Sequence, residues 1–295
     1  MRGARHLYLR GGAETGAGLF GDRAGPILGA LAGIAIGGLG WAWFEAGWAR
    51  LETLDVPLPG LPEELRGLRV AHLSDFHLGV PGRGPKAVER AVAWVEARRP
   101  DLTLISGDLL TRSSGEAQLR ALVARLPNCF AILGNHDVAI SRDPFSERTV
   151  LRDLAPATLL SDEGVTIDVR GKRVYIAGAD PRSRWAETRR QPGALAVSRE
   201  DADLRILIAH YPWLVDELPP GAFDLVVAGH MHDGQICIPY PGGKVRLAHL
   251  GAKYARGLYG LPGGVMHVSS GLGTTFLPFR FAARPEATEL VLQPE

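Results

Sequence analysis

Asp75 and His77 stand two residues apart in Ser74-Asp75-Phe76-His77, at the end of the apolar run Leu68–Leu73. Four further apolar runs end in the same manner. Leu102–Ser106 leads into Gly107-Asp108, and Cys129–Leu133 into Gly134-Asn135-His136-Asp137. Leu204–Ala209 leads into His210, and Leu225–Ala228 into Gly229-His230-Met231-His232. Carboxylate, imidazole and carboxamide donors without thiolate suit manganese, iron or zinc better than a sulfur-cluster or soft-metal site. One carboxylate has two oxygens, so a single Asp can bridge ions roughly 3.5–4 Å apart. Side chains two apart in extended chain share a face, which lets His230 and His232 address neighbouring ions. Singly the pieces are weak, since Asp-x-His and Gly-Asp recur by chance and a lone histidine is more often structural. Five of them in order, each at a strand end, is not a packing pattern.

The elements that must position these residues follow from hydrophobic periodicity. Strands are expected at the five runs above and at Val174–Ala177, Val265–Ser269 and Glu289–Leu292; helices are expected over Pro85–Arg98 and Glu116–Leu126. Continuously apolar strands alternating with helices indicate an α/β protein with sheets covered on both faces. Ligands in such sheets gather beyond the carboxyl ends of the strands, where the five blocks lie. Gly107, Gly134 and Gly229 suit turns in which backbone comes close to another group.

Thirty-three basic residues face thirty-two acidic ones, for a formal net charge of +1. That balance offers no basic face for nucleic acid, so no nucleic-acid partner is expected, and nothing points to a protein partner. Cys129 and Cys237 sit in apolar runs and read as buried thiols. No charge occurs between Arg23 and Glu45, and at about 1.5 Å per residue this run spans roughly the 30 Å of a bilayer core. Trp41, Trp43 and Trp48 cluster at its far end, where interfacial aromatics belong. Residues 1–24 are therefore expected to be a disordered segment, 25–44 a single transmembrane anchor, 45–67 a linker holding three prolines, and 68–295 the catalytic domain. Arg2, Arg5, Arg10 and Arg23 precede the anchor and Arg50 follows it, which places the N-terminus in the cytoplasm.

The blocks DFH, GD, GNHD, the lone His210 and GHMH resemble those of the calcineurin-like metallophosphoesterase superfamily, in its order. The likeness is greater to bacterial membrane-associated members, whose Gly-His-x-His-Gly-Gly-Gln-Ile block reads here from Gly229 to Ile236 with Asp233 in place of a glycine. The resemblance implies a four-layer αββα sandwich preceded by one N-terminal transmembrane helix. It also implies two divalent or trivalent metal ions, manganese first and iron or zinc as alternatives. Asp75, His77, Asp108 and His232 would hold one; Asp108, Asn135, His210 and His230 would hold the other. His136, beside a ligand, would protonate or stabilise the leaving oxygen, with Asp137 as a candidate orienting partner.

The activity so implied is hydrolysis of a phosphodiester or pyrophosphate bond. The anchor suggests a lipid-linked substrate such as UDP-2,3-diacylglucosamine of lipid A biosynthesis, or an envelope phospholipid. The alternatives are a tethered phosphatase or phosphodiesterase for soluble substrates and a non-catalytic scaffold on the same fold. Arg182, Arg184, Arg189 and Arg190 are candidates to meet a second phosphate, and Tyr254, Tyr259 and Arg280 to line the pocket. His72 reads as a core residue, and His249 and His267 have no evident role.

Overall fold

The computed structural model describes residues 21–147, 149, 151–182, 192–198 and 200–295, which divide into a unit up to Gly40 and one from Trp41 onward. Of the first unit it describes helix. Helix α1, Gly21–Glu45, begins four residues before the expected anchor, so residues 21–24 are helical. Ile27, Leu28, Leu31, Ile34, Ile36 and Leu39 are all exposed along it, and 6% of the apolar stretch within Pro26–Glu45 is buried. An α-helix exposing apolar side chains all round suits hydrocarbon surroundings rather than water.

The second unit holds two mixed six-stranded sheets. The first has the order β1 (Arg50–Leu58), β14 (Glu286–Pro294), β2 (Arg69–Leu73), β3 (Leu102–Ile105), β4 (Cys129–Ala131), β5 (Thr158–Leu159). The second runs β12 (Gly257–Leu261), β13 (Gly264–Val268), β9 (Leu225–Ala228), β8 (Leu204–Ala209), β7 (Lys172–Gly178), β6 (Glu163–Val169). A hairpin, β10 (Cys237–Tyr240) with β11 (Gly243–Arg246), stands apart. Strands β2, β3 and β4 run parallel, as do β8 and β9, so their carboxyl ends discharge their loops on the same side of each sheet.

Alternation along each strand builds the layers. Val70, Leu102, Leu104, Leu204, Ile206 and Ile208 point between the sheets, whereas Ala71, Ile105, Leu207 and Ala209 point outward. On the first sheet the outward residues are covered by α2 (Gly84–Arg98) and α3 (Glu116–Val123). Ala87, Val88, Ala91, Val92 and Val95 form the buried stripe of α2, at helical spacing. On the second sheet the cover among the described residues is short 3₁₀ turns, such as Pro212–Glu217.

The expected linker is a correction. Leu54, Val56 and Leu58 alternate on β1 and enter the layer between the sheets, with Leu61 and Leu65 of the following turn. The three prolines hid this pattern, but β1 is an edge strand paired on one side, to β14, where Pro57 is tolerated. The C-terminal strand β14 is thus inserted between β1 and β2, parallel to the former and antiparallel to the latter. The last turn of α1 also belongs to the domain. Ala42, Glu45 and Ala46 are buried, Ala283 N donates to Glu45 Oε1 at 2.8 Å, and the Arg284 guanidinium lies 3.7 Å from the Trp48 ring centre.

Removal of residues 1–40 should leave a cooperatively folding protein, whereas removal through Leu58 should not. The second truncation loses β1 with Val56 and Leu58, each worth about 1.5–3 kcal/mol of burial against a total stability of about 5–15 kcal/mol. Thermal unfolding of the two chains measures the difference. Equal melting temperatures would show β1 to be dispensable.

Candidate metal centre

Five of the seven candidate ligands leave their strand ends on strained backbone. Asp75, His77, Asp108, His230 and His232 all have φ between 47° and 69°, in the left-handed region that non-glycine residues occupy at a cost of about 1–3 kcal/mol each. The cost is met by bonds that lock the loops together. Asp75 N donates to Gly107 O and His77 N to Asp108 O, both at 3.0 Å. The Asp137 carboxylate accepts Gly134 N and Leu110 N at 2.8 Å and Leu109 N at 3.1 Å. It clamps two ligand loops rather than orienting His136, the part for which it was a candidate; His136 Nε2 lies instead 2.9 Å from Ser141 Oγ.

Two of the loop glycines are required by close approach. A Cβ on Gly134 would overlap Asp108 N and Oδ1, and one on Gly229 would overlap Ser74 Oγ. Both spaces are filled by the residues that the loops present.

All seven candidate ligands converge. Three sets of donor atoms lie within 4.8 Å of one another: Asp75, His77 and His232; His77, Asp108 and His136; Asp108, His210 and His230. Asp108 Oδ2 is 3.5 Å from His77 Nε2 and 3.4 Å from His210 Nε2, at the junction of the two groups. Asn135 Oδ1 joins through His210 Nε2 at 2.7 Å, and His230 Nδ1 lies 3.2 Å from the same nitrogen. His77 Nε2 and His232 Nε2 are 3.1 Å apart. His210 Nδ1 must be the protonated nitrogen in a neutral ring, because it donates to the Ser106 carbonyl at 2.9 Å. That directs the Nε2 lone pair into the cluster, as in many metal-binding histidines. His136 is buried beside these groups, and its Nδ1 has no partner.

Burial raises the Asp75 carboxyl to about 7 and lowers the His77 imidazole to about 3. Burial opposes charge on His210 as well, but Asp108 and then Asp75 outweigh it and push the ring up to about 9. His230 and His232 are held well below the ordinary histidine range by burial, aided respectively by His210 and by His77 with Arg280. Crowded imidazoles, two carboxylates and a carboxamide oxygen fit an N/O-binding cation.

The remaining candidates are distributed differently. Arg280 is fully buried, donating to Gly273 O, with Nη2 3.1 Å from His232 Nδ1, so it supports a ligand from behind. Tyr254 bonds Asp216 and Tyr259 bonds Arg256 O, and neither lines the cavity of about 340 Å³ at the cluster. Arg182 is held by Asp180 outside that cavity, and Arg184, Arg189 and Arg190 lie outside the described residues. Among the described residues the cavity is also lined by the basic side chain of Arg142, with Trp213 and His249; sequence reasoning assigned none of the three a role. Only the nearness of Arg142 to the Asn135-His136 block hinted at it. Asp233 is no extra ligand, since Lys244 and Arg246 of β11 neutralise it.

The calcineurin-like phosphoesterase family model matches residues 68–234. A zebrafish (Danio rerio) "transmembrane protein with metallophosphoesterase domain" is 31% identical, the match covering 83% of this chain and 57% of that protein, so the chain spans little more than half of this relative. An uncharacterised metallophosphoesterase of Helicobacter pylori is 30% identical, with 89% of this chain and 69% of the relative covered. A protein of Chlamydia muridarum named UDP-2,3-diacylglucosamine pyrophosphatase is 26% identical, with 84% and 91% covered.

Two outcomes are expected. Below about pH 9 the His210 ring carries a proton that must leave before Nε2 can take a metal, so binding should release a proton and weaken as pH falls. Calorimetric titration with manganese in buffers of different ionisation enthalpy reads that release directly, and a buffer-independent heat would contradict it. Gly134→Ala should displace Asp108 and lower the metal content of the purified protein below that of wild type, measured by elemental analysis.

Proposed function

Because the chain belongs to the calcineurin-like phosphoesterase family, we propose that it hydrolyses a phosphodiester or pyrophosphate bond in a lipid-linked substrate at a membrane surface. The observation that carries the reading is the junction at Asp108, one buried carboxylate flanked by a donor group on either side. In this reading Asp75, His77, Asp108 and His232 hold one ion, and Asp108, Asn135, His210 and His230 hold the other. Manganese is the proposed metal, with iron or zinc as alternatives. When bound, such a pair supplies an acidified water as nucleophile and neutralises charge on the phosphoryl oxygens.

The chain's own residues do the rest. His136 stands at the cavity with Nε2 held by Ser141 and Nδ1 buried and unengaged, which supports a role in passing a proton to the leaving oxygen. Arg142 at the cavity mouth supplies a positive charge for a substrate phosphate. Asp137 and the glycine turns keep the donors fixed, so little reorganisation accompanies the reaction.

The lipid-linked substrate is supported by the apolar helix, by the transmembrane zebrafish relative and by the lipid substrate for which the chlamydial relative is named. The arginine bias before the helix leaves the N-terminus in the cytoplasm and the catalytic domain outside, which favours an envelope phospholipid or other envelope diester. The opposite facing favours UDP-2,3-diacylglucosamine, whose nucleotide is cytosolic. A panel holding both substrates, with bis(p-nitrophenyl) phosphate as a lipid-free diester, separates these from a phosphatase for soluble esters.

In the metal-loaded full-length protein, Asp108→Asn should abolish turnover on every member of the panel. His136→Ala should keep its metal yet slow hydrolysis by roughly 10²–10⁴-fold, with a smaller loss for good leaving groups. Full activity in Asp108→Asn, or after chelation, would sink the proposal. Loss of metal in His136→Ala would make His136 a ligand instead.

A further inference from the structure

Next to the metal cavity lies a second hollow of about 340 Å³, walled by Val80, Pro81, Phe145, Leu277 and Pro278, and sharing Thr275 and Phe276 with the first. That volume falls at the lower end of small-molecule sites. The polar groups around it are consumed in holding its walls. The Asp143 carboxylate accepts Phe145 N at 2.9 Å on one loop and Thr275 Oγ1 and Phe276 N at 3.0 Å on the other. The Gln235 amide clips the second loop from beneath, donating to Thr275 O at 2.8 Å and Leu277 O at 3.0 Å. Arg112 Nε donates to Phe145 O at 3.2 Å. What is left to face outward is apolar: Phe145, Phe276 and Leu277 are 48%, 50% and 53% exposed. A preformed apolar hollow with half-exposed aromatic walls marks a binding surface rather than a packing accident.

The same loop is fastened to the end of the apolar helix. The Phe279 ring meets Trp43 edge-on at 6.1 Å, and Arg280 N donates to Ala42 O at 3.0 Å. Trp41, Trp43 and Phe44 are themselves partly exposed there. Tryptophans at the end of a membrane-length helix belong at the level of the lipid headgroups, so the loop carrying Phe276 and Leu277 belongs at that level too.

We infer that this groove holds an acyl chain of the substrate while its phosphate lies at the metal centre, with Thr275 and Phe276 at the join between the two. The inference rests on the phosphoesterase reading above and adds the surface that selects the lipid. The bilayer supplies the occupant: a chain drawn partway out of the membrane finds apolar walls at the point where its headgroup finds the histidines.

The test uses full-length protein in dioleoyl-phosphatidylcholine nanodiscs and p-nitrophenyl alkyl phosphodiesters with chains from ethyl to dodecyl. Because each variant is compared in the same discs, partition of the longer esters cancels. In wild type, kcat/KM should rise steeply with length, by up to about fourfold per buried methylene. In Phe145→Ser and Leu277→Gln the dodecyl-to-ethyl ratio should fall at least tenfold, with melting temperatures recorded to identify any variant that does not fold. An unchanged ratio in both folded variants would overturn the groove while leaving the hydrolase reading intact. If no diester is cleaved by wild type, the hydrolase reading fails, and the groove is then judged by photocrosslinking from a phosphatidylcholine with a diazirine in its acyl chain. Label on 141–147 and 274–279 supports it; label confined to 26–45 overturns it.

Discussion

Asp108 is buried with His77 Nε2 and His210 Nε2 within 3.5 Å of one of its oxygens, and His77 Nε2 in turn lies 3.1 Å from His232 Nε2. Burial makes charging His77, His230 and His232 costly, whereas Asp108 and then Asp75 draw a proton onto His210. Much of the surrounding structure serves to hold this arrangement against its own preferences. Five donors sit on left-handed backbone, glycines leave room for their carboxylates, and Asp137 ties three amides of neighbouring loops into one rigid rim. Such stored strain is tolerated where a site needs a fixed geometry before its ligand arrives.

Behind the rim a buried polar chain crosses between the sheets. Ser74 bonds Asp75, Ser106 bonds Ser74 at 2.7 Å, His72 bonds Ser106 at 2.9 Å, and His72 meets His267 at 2.8 Å. Polar groups in that position cost stability unless each finds a partner, and a connected network fixes the register of β2 against β13 more sharply than apolar contacts would. His72 is a core residue, then, but one that ties the sandwich to Asp75 through hydroxyl groups. His267 acquires a role that no local pattern announced.

The stretch from Glu45 to Leu58 is bonded into the catalytic domain. Glu45, Trp48 and β1 are all bonded to the C-terminal segment, through Ala283, Arg284 and β14. The loop over the apolar hollow, which gives Thr275 and Phe276 to the metal cavity, lies on the same C-terminal segment.

The residues themselves determined the outline. Apolar runs located eight of the twelve strands described in the two sheets to within a few residues, and the five runs that end in Asp, His or Asn located the donors, because strand ends must deliver those side chains wherever the sheet puts them. What local sequence could not carry was pairing across long separations. Leu54, Val56 and Leu58 were masked by prolines that are harmless only because β1 lies at an edge, a fact set by where β14 inserts. Asp137 and Asp233 looked like candidates for chemistry until backbone amides in one case and Lys244 with Arg246 in the other accounted for their charge. Arg142, Trp213 and His249 come to the cavity from separate loops. Their meeting is decided by the packing of two sheets, because a side chain's neighbours across such distances are fixed by burial and register rather than by spacing along the chain.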